Sequence, residues 1–253
     1  MLPEDDFLRR LPTLLPAVDR LRIETLIFAH DLMEVALGRL YATGLAFNEG
    51  AGLNVERTAM FSDAWTIVDQ IHVARQVLLS LTNTNRKSDT QSFIDDFSAA
   101  RVLRNKMDHI NQNLPNRANE KGVGNALFGQ LTFFRPFSDR WTQGLQNGEI
   151  RGELVMVSAG LMPNSMVGAL TDMLDLHLPI CSFALEAFGV KLPLERAVFQ
   201  LRALMHRMSK NIERQVLEQV ERQATSSEEK ERLLQSLSGH VVLRFDMEFD
   251  VET

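Results

Sequence analysis

The sequence predicts a mainly α-helical protein that also contains a small antiparallel β-sheet. Three observations support this fold class. Apolar residues recur at helical intervals over long stretches of the chain. Two short segments in the second half are rich in β-forming residues and are bounded by turn residues. The last segment alternates apolar and charged residues with a period of two, which is typical of a half-buried strand.

The first half of the chain predicts a helical bundle over about residues 17–114. Its helices are expected at residues 17–43, 56–81 and 88–114, and Pro115 blocks continuation of the third. The first helix has no clean narrow apolar stripe, whereas the second and third do. The predicted buried stripe of the third helix consists of Phe93, Phe97, Ala100, Leu103, Met107 and Ile110.

The second half mixes strands and helices. Strands are expected at Phe128–Phe134, Glu149–Ser158 and Val241–Val251, and helices at Thr171–Val190, Leu194–Gln223 and from Ser226 to Leu237. We therefore divide the chain into residues 1–114, the helical bundle, and residues 115–253, an α+β half. We expect this second half to pack on the bundle rather than form an independent domain.

Composition and charge limit the possible functions. Hydrophobic residues make up 45% of the 253 residues and charged residues 24%, which is typical of a globular protein rather than a disordered one. The formal net charge of −6 argues against a general nucleic-acid coat protein, because such proteins bind the phosphate backbone through clustered Lys and Arg. The only cysteine, Cys181, excludes an internal disulfide.

No feature of the sequence predicts membrane insertion or export. Residues 1–6 are acidic, whereas a signal peptide begins with basic residues. Every apolar run is interrupted before it reaches the roughly 18 residues that a membrane span needs. We therefore expect a cytoplasmic protein without a membrane association.

The most informative stretch is Arg104-Asn105-Lys106-Met107-Asp108-His109, near the end of the third predicted helix. It places a guanidinium, an amide and an imidazole within six residues. The spacing R-N-x3-H resembles the signature of the HEPN superfamily, a group of helical domains that carry R-x(4–6)-H, often with a polar residue after the arginine. The resemblance covers mainly residues 17–114.

The resemblance implies a function and an assembly. Many HEPN proteins are metal-independent RNases that work as homodimers, and some act as toxins or defence effectors. Arg104 and His109 would carry the reaction and Asn105 would assist, without a metal or other cofactor. Arg104 and His109 lie about 140° apart around one helix, so the resemblance implies a composite cleft between two copies of the helix. RNA cleavage by its own 2′-hydroxyl would leave a 2′,3′-cyclic phosphate.

The charge around the motif is consistent with RNA as a partner. Between residues 101 and 121 there are five positively charged and two negatively charged residues, which gives a local net charge of +3 in an acidic chain. We expect four of these residues to bind the RNA backbone beside the motif. They are Arg101, Lys106, Arg117 and Lys121.

A structural interpretation of the same residues is the alternative. Arg104 can pair with Asp108 along the helix, and a histidine such as His109 is favoured near a helix C-terminus. The protein would then be a non-catalytic helical interaction or RNA-binding protein that dimerises through the same helices. An antitoxin or another protein is a further possible partner. His30 and Glu34 have helical metal-ligand spacing but lack a second matching pair, so no metal site is predicted.

Overall fold

The computed structural model describes residues 1–11, 16–47, 53–81, 88–112, 114, 128–136, 152–159 and 182–235. It confirms a mainly α-helical fold with a small antiparallel sheet of four strands. Several predicted features lie outside the described residues, so they stay predictions. These are Arg117, Lys121, Cys181 and the strand at Val241–Val251.

Two long helices form the centre of the fold. Helix α1 spans Ala17–Ala46 and packs along α2, which spans Leu53–Ser80. Both agree with the sequence prediction to within a few residues. The side chains between them are fully or almost fully buried, which makes apolar burial the main stabilising contribution. They include Leu26, Met33, Leu37, Leu40, Met60, Ala64, Ile67, Val68 and Ile71.

The third predicted helix is broken at Phe97 and Ser98 and again at His109, and residues 110–112 and 114 are helical beyond the second break, so the prediction of one continuous helix over residues 88–114 was wrong. Helix α3 spans Ser88–Asp96, a turn follows at Phe97 and Ser98, and α4 spans Ala99–Asp108. In an uninterrupted helix the Ser98 amide would bond to the Ile94 carbonyl. Here it donates to the carbonyl of Asp95, and the buried guanidinium of Arg75 donates to Ile94 instead, at 2.7 Å. The Arg75 guanidinium thus replaces the missing amide donor, so the Ile94 carbonyl keeps a hydrogen bond at the break.

In the part of the chain that the structure describes, the sheet contains four antiparallel strands in the order β2-β1-β3-β4. Strand β1 spans Gln130–Pro136 and β2 spans Gly152–Ser158, so both predicted strands are confirmed, with starts two and three residues later than predicted. Strands β3, Ala184–Ala187, and β4, Val190–Pro193, form a tight hairpin. Its two turn residues, Phe188 and Gly189, both have positive φ, as a two-residue hairpin of this kind requires.

The hairpin corrects another prediction. The helix expected at Thr171–Val190 is wrong over its last part, where β3 and β4 lie, and residues 171–181 are outside the described part of the chain. Leucine, alanine and glutamate in this segment favour a helix locally. Pairing with β1 and burial of Phe183 and Leu185 outweigh that preference, because strand formation depends strongly on tertiary context.

Two further helices complete the described chain. Helix α5 spans Leu194–Gln223, as predicted, and packs against α1, α2 and α3. Helix α6 spans Ser227–Gln235, and Ser226 accepts a hydrogen bond from the Glu229 amide at its start. Within the described residues, the helices are too polar or too short to cross a membrane.

Candidate functional site

Arg104 projects from α4 toward α2. Its Nη1 lies 3.3 Å from Oδ1 of Asp69 on α2, and its Nε lies 3.7 Å from Oδ2 of Asp108 on its own helix. The side chain keeps 35% of its surface exposed. The pairing with Asp108 is the one that the structural interpretation of the sequence predicted, while the contact with Asp69 is an additional tie between the two helices.

Beside Arg104 lies a half-open groove of about 520 Å³, a volume typical of small-molecule and cofactor sites. Two arginines and two aspartates provide its charged groups, and three aromatic rings provide much of its apolar wall. We call it the Trp65 groove. Its described lining consists of Arg57, Thr58, Phe61, Ser62, Trp65, Asp69, Arg104, Met107, Asp108, Phe128 and Ala159.

Helix α2 supplies most of the groove because of a four-residue spacing. Arg57, Phe61, Trp65 and Asp69 follow at intervals of four, which places them along one side of the helix. The Trp65 indole donates its Nε1–H to the carbonyl of Phe128, at 3.0 Å, so the ring is held against the start of β1. The groove wall is therefore fixed by a hydrogen bond between α2 and the sheet.

The segment that carries Phe128 is itself held by a special backbone position. Gly129 has φ of +93°, and a Cβ atom there would lie 2.4 Å from the carbonyl oxygen of Glu186 in β3. Only glycine fits both constraints. The Gly129 carbonyl also accepts the amide of Ala159, another groove residue, at 3.0 Å. The wall beside Trp65 is thus tied to one end of the sheet, where β1 begins, rather than formed by an isolated loop.

The charged side of the groove has perturbed titration behaviour. Burial raises the pKa of Asp69, and the nearby Asp108 adds to this effect against the opposing charges of Arg104 and His72. Burial also lowers the pKa of His72, one helical turn along α2, and the positive charges of Arg104 and Arg75 lower it further. His72 therefore favours the neutral imidazole.

His72 has a second unusual property. Its Nδ1 is buried and makes no hydrogen bond with any described residue. A neutral imidazole with a buried nitrogen near an arginine is a pattern found at proton-transfer sites and also at ordinary packed histidines.

The structure does not bring His109 into the groove of its own chain. His109 is exposed and forms the C-cap of α4, with φ −106° and ψ 33°. Its amide still donates to the carbonyl of Asn105, at 3.2 Å, and Asn105 is also exposed. Of the three predicted catalytic residues, only Arg104 lines the groove.

The predicted RNA-binding residues differ in their surroundings. Arg101 is exposed on α4. Lys106 donates to the carbonyl of Phe188 in the β3–β4 turn, at 3.0 Å, so it fastens α4 to the sheet. This contact gives Lys106 a structural role that the sequence did not suggest.

The aromatic groove residues were not identified from the sequence. Phe61 and Trp65 lie within the helix predicted at residues 56–81, and Phe128 begins the strand predicted at Phe128–Phe134. The signal that could have found them is the spacing of Arg57, Phe61, Trp65 and Asp69, which mixes charged and aromatic residues on one helix side. That spacing alone also describes many buried helices.

The His30 region is a charged cluster inside the fold. His30 is fully buried on α1, with Nδ1 3.3 Å from Asp31 and Nε2 3.2 Å from Glu34. Arg9 binds Asp31 and Arg202 binds Glu34, each at 2.6 Å, so both carboxylates have cationic partners. Among the described residues, no group of three or more His, Cys, Asp or Glu side chains is arranged to hold a metal.

Comparison with known proteins adds no assignment: no protein-family model, no curated protein and no solved structure matches this chain.

Proposed function

We propose that this protein binds single-stranded RNA in the Trp65 groove and cleaves it there without a metal. The observation that carries the proposal is the position of Arg104, whose guanidinium opens onto a groove walled by Trp65, Phe61 and Phe128. An unpaired nucleotide offers the two chemistries that such a site can bind, a flat aromatic base and an anionic phosphate.

The aromatic wall supports binding of a base. Stacking of a base on an aromatic side chain contributes about 1–3 kcal/mol, and a ring whose orientation is already fixed loses less entropy on binding. The hydrogen bond from Trp65 to the Phe128 carbonyl fixes the indole in this way. Double-stranded RNA does not expose its base faces, so the proposal is restricted to loops, ends and single strands.

The two arginines support binding of the phosphate. A guanidinium can donate two parallel hydrogen bonds to phosphate oxygens. In the free protein Arg104 is engaged by Asp69 and Asp108, and the formal charges of these three residues and Arg57 cancel. A phosphate must therefore compete with two carboxylates for Arg104, and binding should be moderate and salt-dependent.

The proposed reaction is an internal transfer at phosphorus. A neutral imidazole accepts the proton of the 2′-hydroxyl, the 2′-oxygen forms a bond to phosphorus, and the bond from phosphorus to the 5′-oxygen breaks. The leaving 5′-oxygen takes up a proton, and Arg104 stabilises the negative charge on the phosphate oxygens in the transition state. His109 is the base that the HEPN resemblance implies, and it lies outside the groove of its own chain. His72 is the alternative base, because the charge of Arg104 acts on it and burial keeps it neutral, although it too is not among the lining residues.

The test incubates the protein with labelled single-stranded RNA in the presence of EDTA. The control substrate is a DNA oligonucleotide of the same sequence. We expect RNA to be cut to cyclic phosphates, DNA to survive, and Arg104→Gln to abolish cleavage. His109→Ala and His72→Ala distinguish the two bases, because only the variant that lacks the true base should lose the reaction while still binding RNA.

Two other outcomes are informative. Binding that depends on Arg104 and Trp65 without cleavage of any RNA would favour the non-catalytic RNA-binding alternative. Absence of both binding and cleavage over a broad RNA set would remove RNA as the ligand of the groove.

A further inference from the structure

Helix α1 carries an apolar stripe on the side that faces away from the core. Leu21, Phe28 and Val35 are 62%, 66% and 40% exposed, and they follow one another at intervals of seven residues. Seven residues are close to two helical turns, so the three side chains lie on one line along the helix. Val18, 58% exposed, extends the stripe at its start.

Such a stripe is unusual on a surface without a partner. Isolated apolar residues are common on protein surfaces, but a regularly spaced row along one side of a helix that includes an exposed phenylalanine points to an interaction site. Repetition every seven residues is also the pattern by which helices pack against other helices. The shape of the surface therefore fits a helix as its partner.

The backbone of α1 is accessible beside the stripe. Gly38 lies in the interior of the helix, where glycine weakens helix formation. A Cβ atom at this position would have no described neighbour within 4 Å. Its small size is thus not required by packing within the described chain, and it leaves room for close approach by another helix.

Two charges of opposite sign border the stripe. Glu24 is exposed near its start, and Arg39 near its end keeps 59% of its side chain exposed while binding Asp63. Both lie within about 40° of Phe28 around the helix axis. A surface with one acidic end and one basic end is complementary to itself when two copies run in opposite directions.

We propose that α1 is the interface of a two-fold homodimer in which the two α1 helices pack antiparallel. In one antiparallel register, the two-fold axis crosses α1 between residues 31 and 32, and three pairs of residues meet across the interface. Phe28 packs on Val35 of the partner subunit, Leu21 packs on Ala42 of the partner subunit, and Glu24 pairs with Arg39 of the partner subunit. Each larger side chain meets a smaller one, and each carboxylate meets a guanidinium.

A second copy fits this surface better than an unrelated partner, because one register satisfies both the apolar stripe and the charges. This proposed dimer does not depend on RNA binding.

The proposed dimer determines where the two Trp65 grooves lie. Helix α4 packs on α2 and β4, so α2 separates each Arg104 from the two-fold axis, and each groove is built by one chain. A composite cleft between two α4 helices would need a different interface.

The test measures the mass of the full-length protein in solution by sedimentation equilibrium. We expect a dimer for the wild type and a monomer for Phe28→Glu. Val55→Glu is the matched control, because Val55 is an even more exposed apolar residue, 75%, on α2 outside the stripe. It should remain dimeric. Thermal unfolding of the variants checks that each one is folded.

Charge reversal tests the register. Glu24→Arg should weaken the dimer roughly fivefold. Arg39→Glu should weaken it by at least that factor, because it also sets a carboxylate beside Asp63 of its own chain. The double variant Glu24→Arg/Arg39→Glu should recover most of the lost affinity, because the pair is restored with opposite polarity. A monomeric wild type at the highest soluble concentration overturns the proposal, as does a dimer that Phe28→Glu leaves intact. A dimer broken by Phe28→Glu but indifferent to the charge reversals overturns the antiparallel register.

Discussion

Arg104 and Asp69 join α4 to α2 through a contact of 3.3 Å between Nη1 and Oδ1. Both side chains are partly exposed, at 35% and 46%. An ion pair of this kind contributes at most about 1 kcal/mol to folding stability. Its larger effect is on ligand binding, because the carboxylate occupies the guanidinium that a phosphate would need.

Asp69→Asn should therefore raise the affinity for single-stranded RNA by about twofold to fivefold. The amide removes the competing charge but keeps the size of the side chain. Fluorescence anisotropy of a labelled oligonucleotide at fixed salt measures the change. Arg104→Gln should lower the affinity in the same assay. Equal affinities for Asp69→Asn and the wild type would show that Asp69 does not compete with the phosphate for Arg104, and an unchanged affinity of Arg104→Gln would show that Arg104 does not contact the phosphate.

Trp65→Ala should weaken RNA binding by about tenfold, since it removes one base-stacking surface. Trp65→Phe should retain most of the affinity, because a smaller ring can still stack although it cannot donate to the Phe128 carbonyl. The chain has two tryptophans, so a Trp141→Phe background makes Trp65 the only indole reporter. RNA should quench its fluorescence in that background, and an unchanged spectrum at saturating RNA would place the base elsewhere.

The long elements of the fold could be predicted from the sequence because their signals are local and strong. Helices α2 and α5 have apolar periodicity over more than seven turns each, and β1 and β2 combine β-forming residues with adjacent turn residues. Helix α1 is as long but has no clean apolar stripe, and its uninterrupted length is its main signal. The break at Phe97 and Ser98 has no such signal, since neither glycine nor proline marks it. It depends on Arg75, which is about twenty residues away and replaces a backbone donor.

The candidate site, too, could be predicted only where its signal is local in the sequence. Arg104 was predicted because the motif is short and contiguous, and it does line a groove. The other groove residues come from α2, α4 and the ends of two strands, so only the tertiary structure brings them together. The sequence also placed His109 on the face of a continuous helix, whereas it is the C-cap of a helix that ends at Asp108.

His72 should make folding stability depend on pH. Its pKa in the folded protein lies below the ordinary value of 6.5, chiefly because of burial. The unfolded state then binds more protons as the pH falls below about 6.5, so stability decreases over that range and is fully present above it. In His72→Gln this decrease should be smaller. Urea unfolding at a series of pH values measures it, with His206→Gln, an exposed histidine on α5, as the control.

A parallel fall in stability for wild type and His72→Gln would show that His72 does not titrate differently in the folded state. The same series is informative for catalysis. If His72 is the base, the cleavage rate should fall with acid over the range in which His72 becomes protonated, and His109→Ala should keep that profile.

The contact between Arg202 and Glu34 should stabilise the junction of α1 and α5. Two bonds of 2.6 Å link the guanidinium to both carboxylate oxygens, and Glu34 is only 10% exposed. Burial raises the pKa of Glu34, but hydrogen bonds from His30 and Arg202 and the positive charges of Arg202 and the amino terminus outweigh it. The result is a pKa of about 2, against an ordinary value of 4.5.

Arg202→Met should accordingly lower the free energy of unfolding by about 2 kcal/mol at neutral pH, because it leaves a mostly buried carboxylate with fewer partners. A lowered carboxyl pKa contributes stability that is present above 4.5 and lost as the pH falls toward about 2. The difference between variant and wild type should therefore shrink over this acid range. Arg207→Met, which breaks a pair with Asp89 in which both side chains are 49% exposed, is the matched control and should cost less than about 1 kcal/mol. Equal losses for the two variants at neutral pH, or a difference that persists unchanged down to about pH 2, would show that the charge of Glu34 is not what Arg202 stabilises.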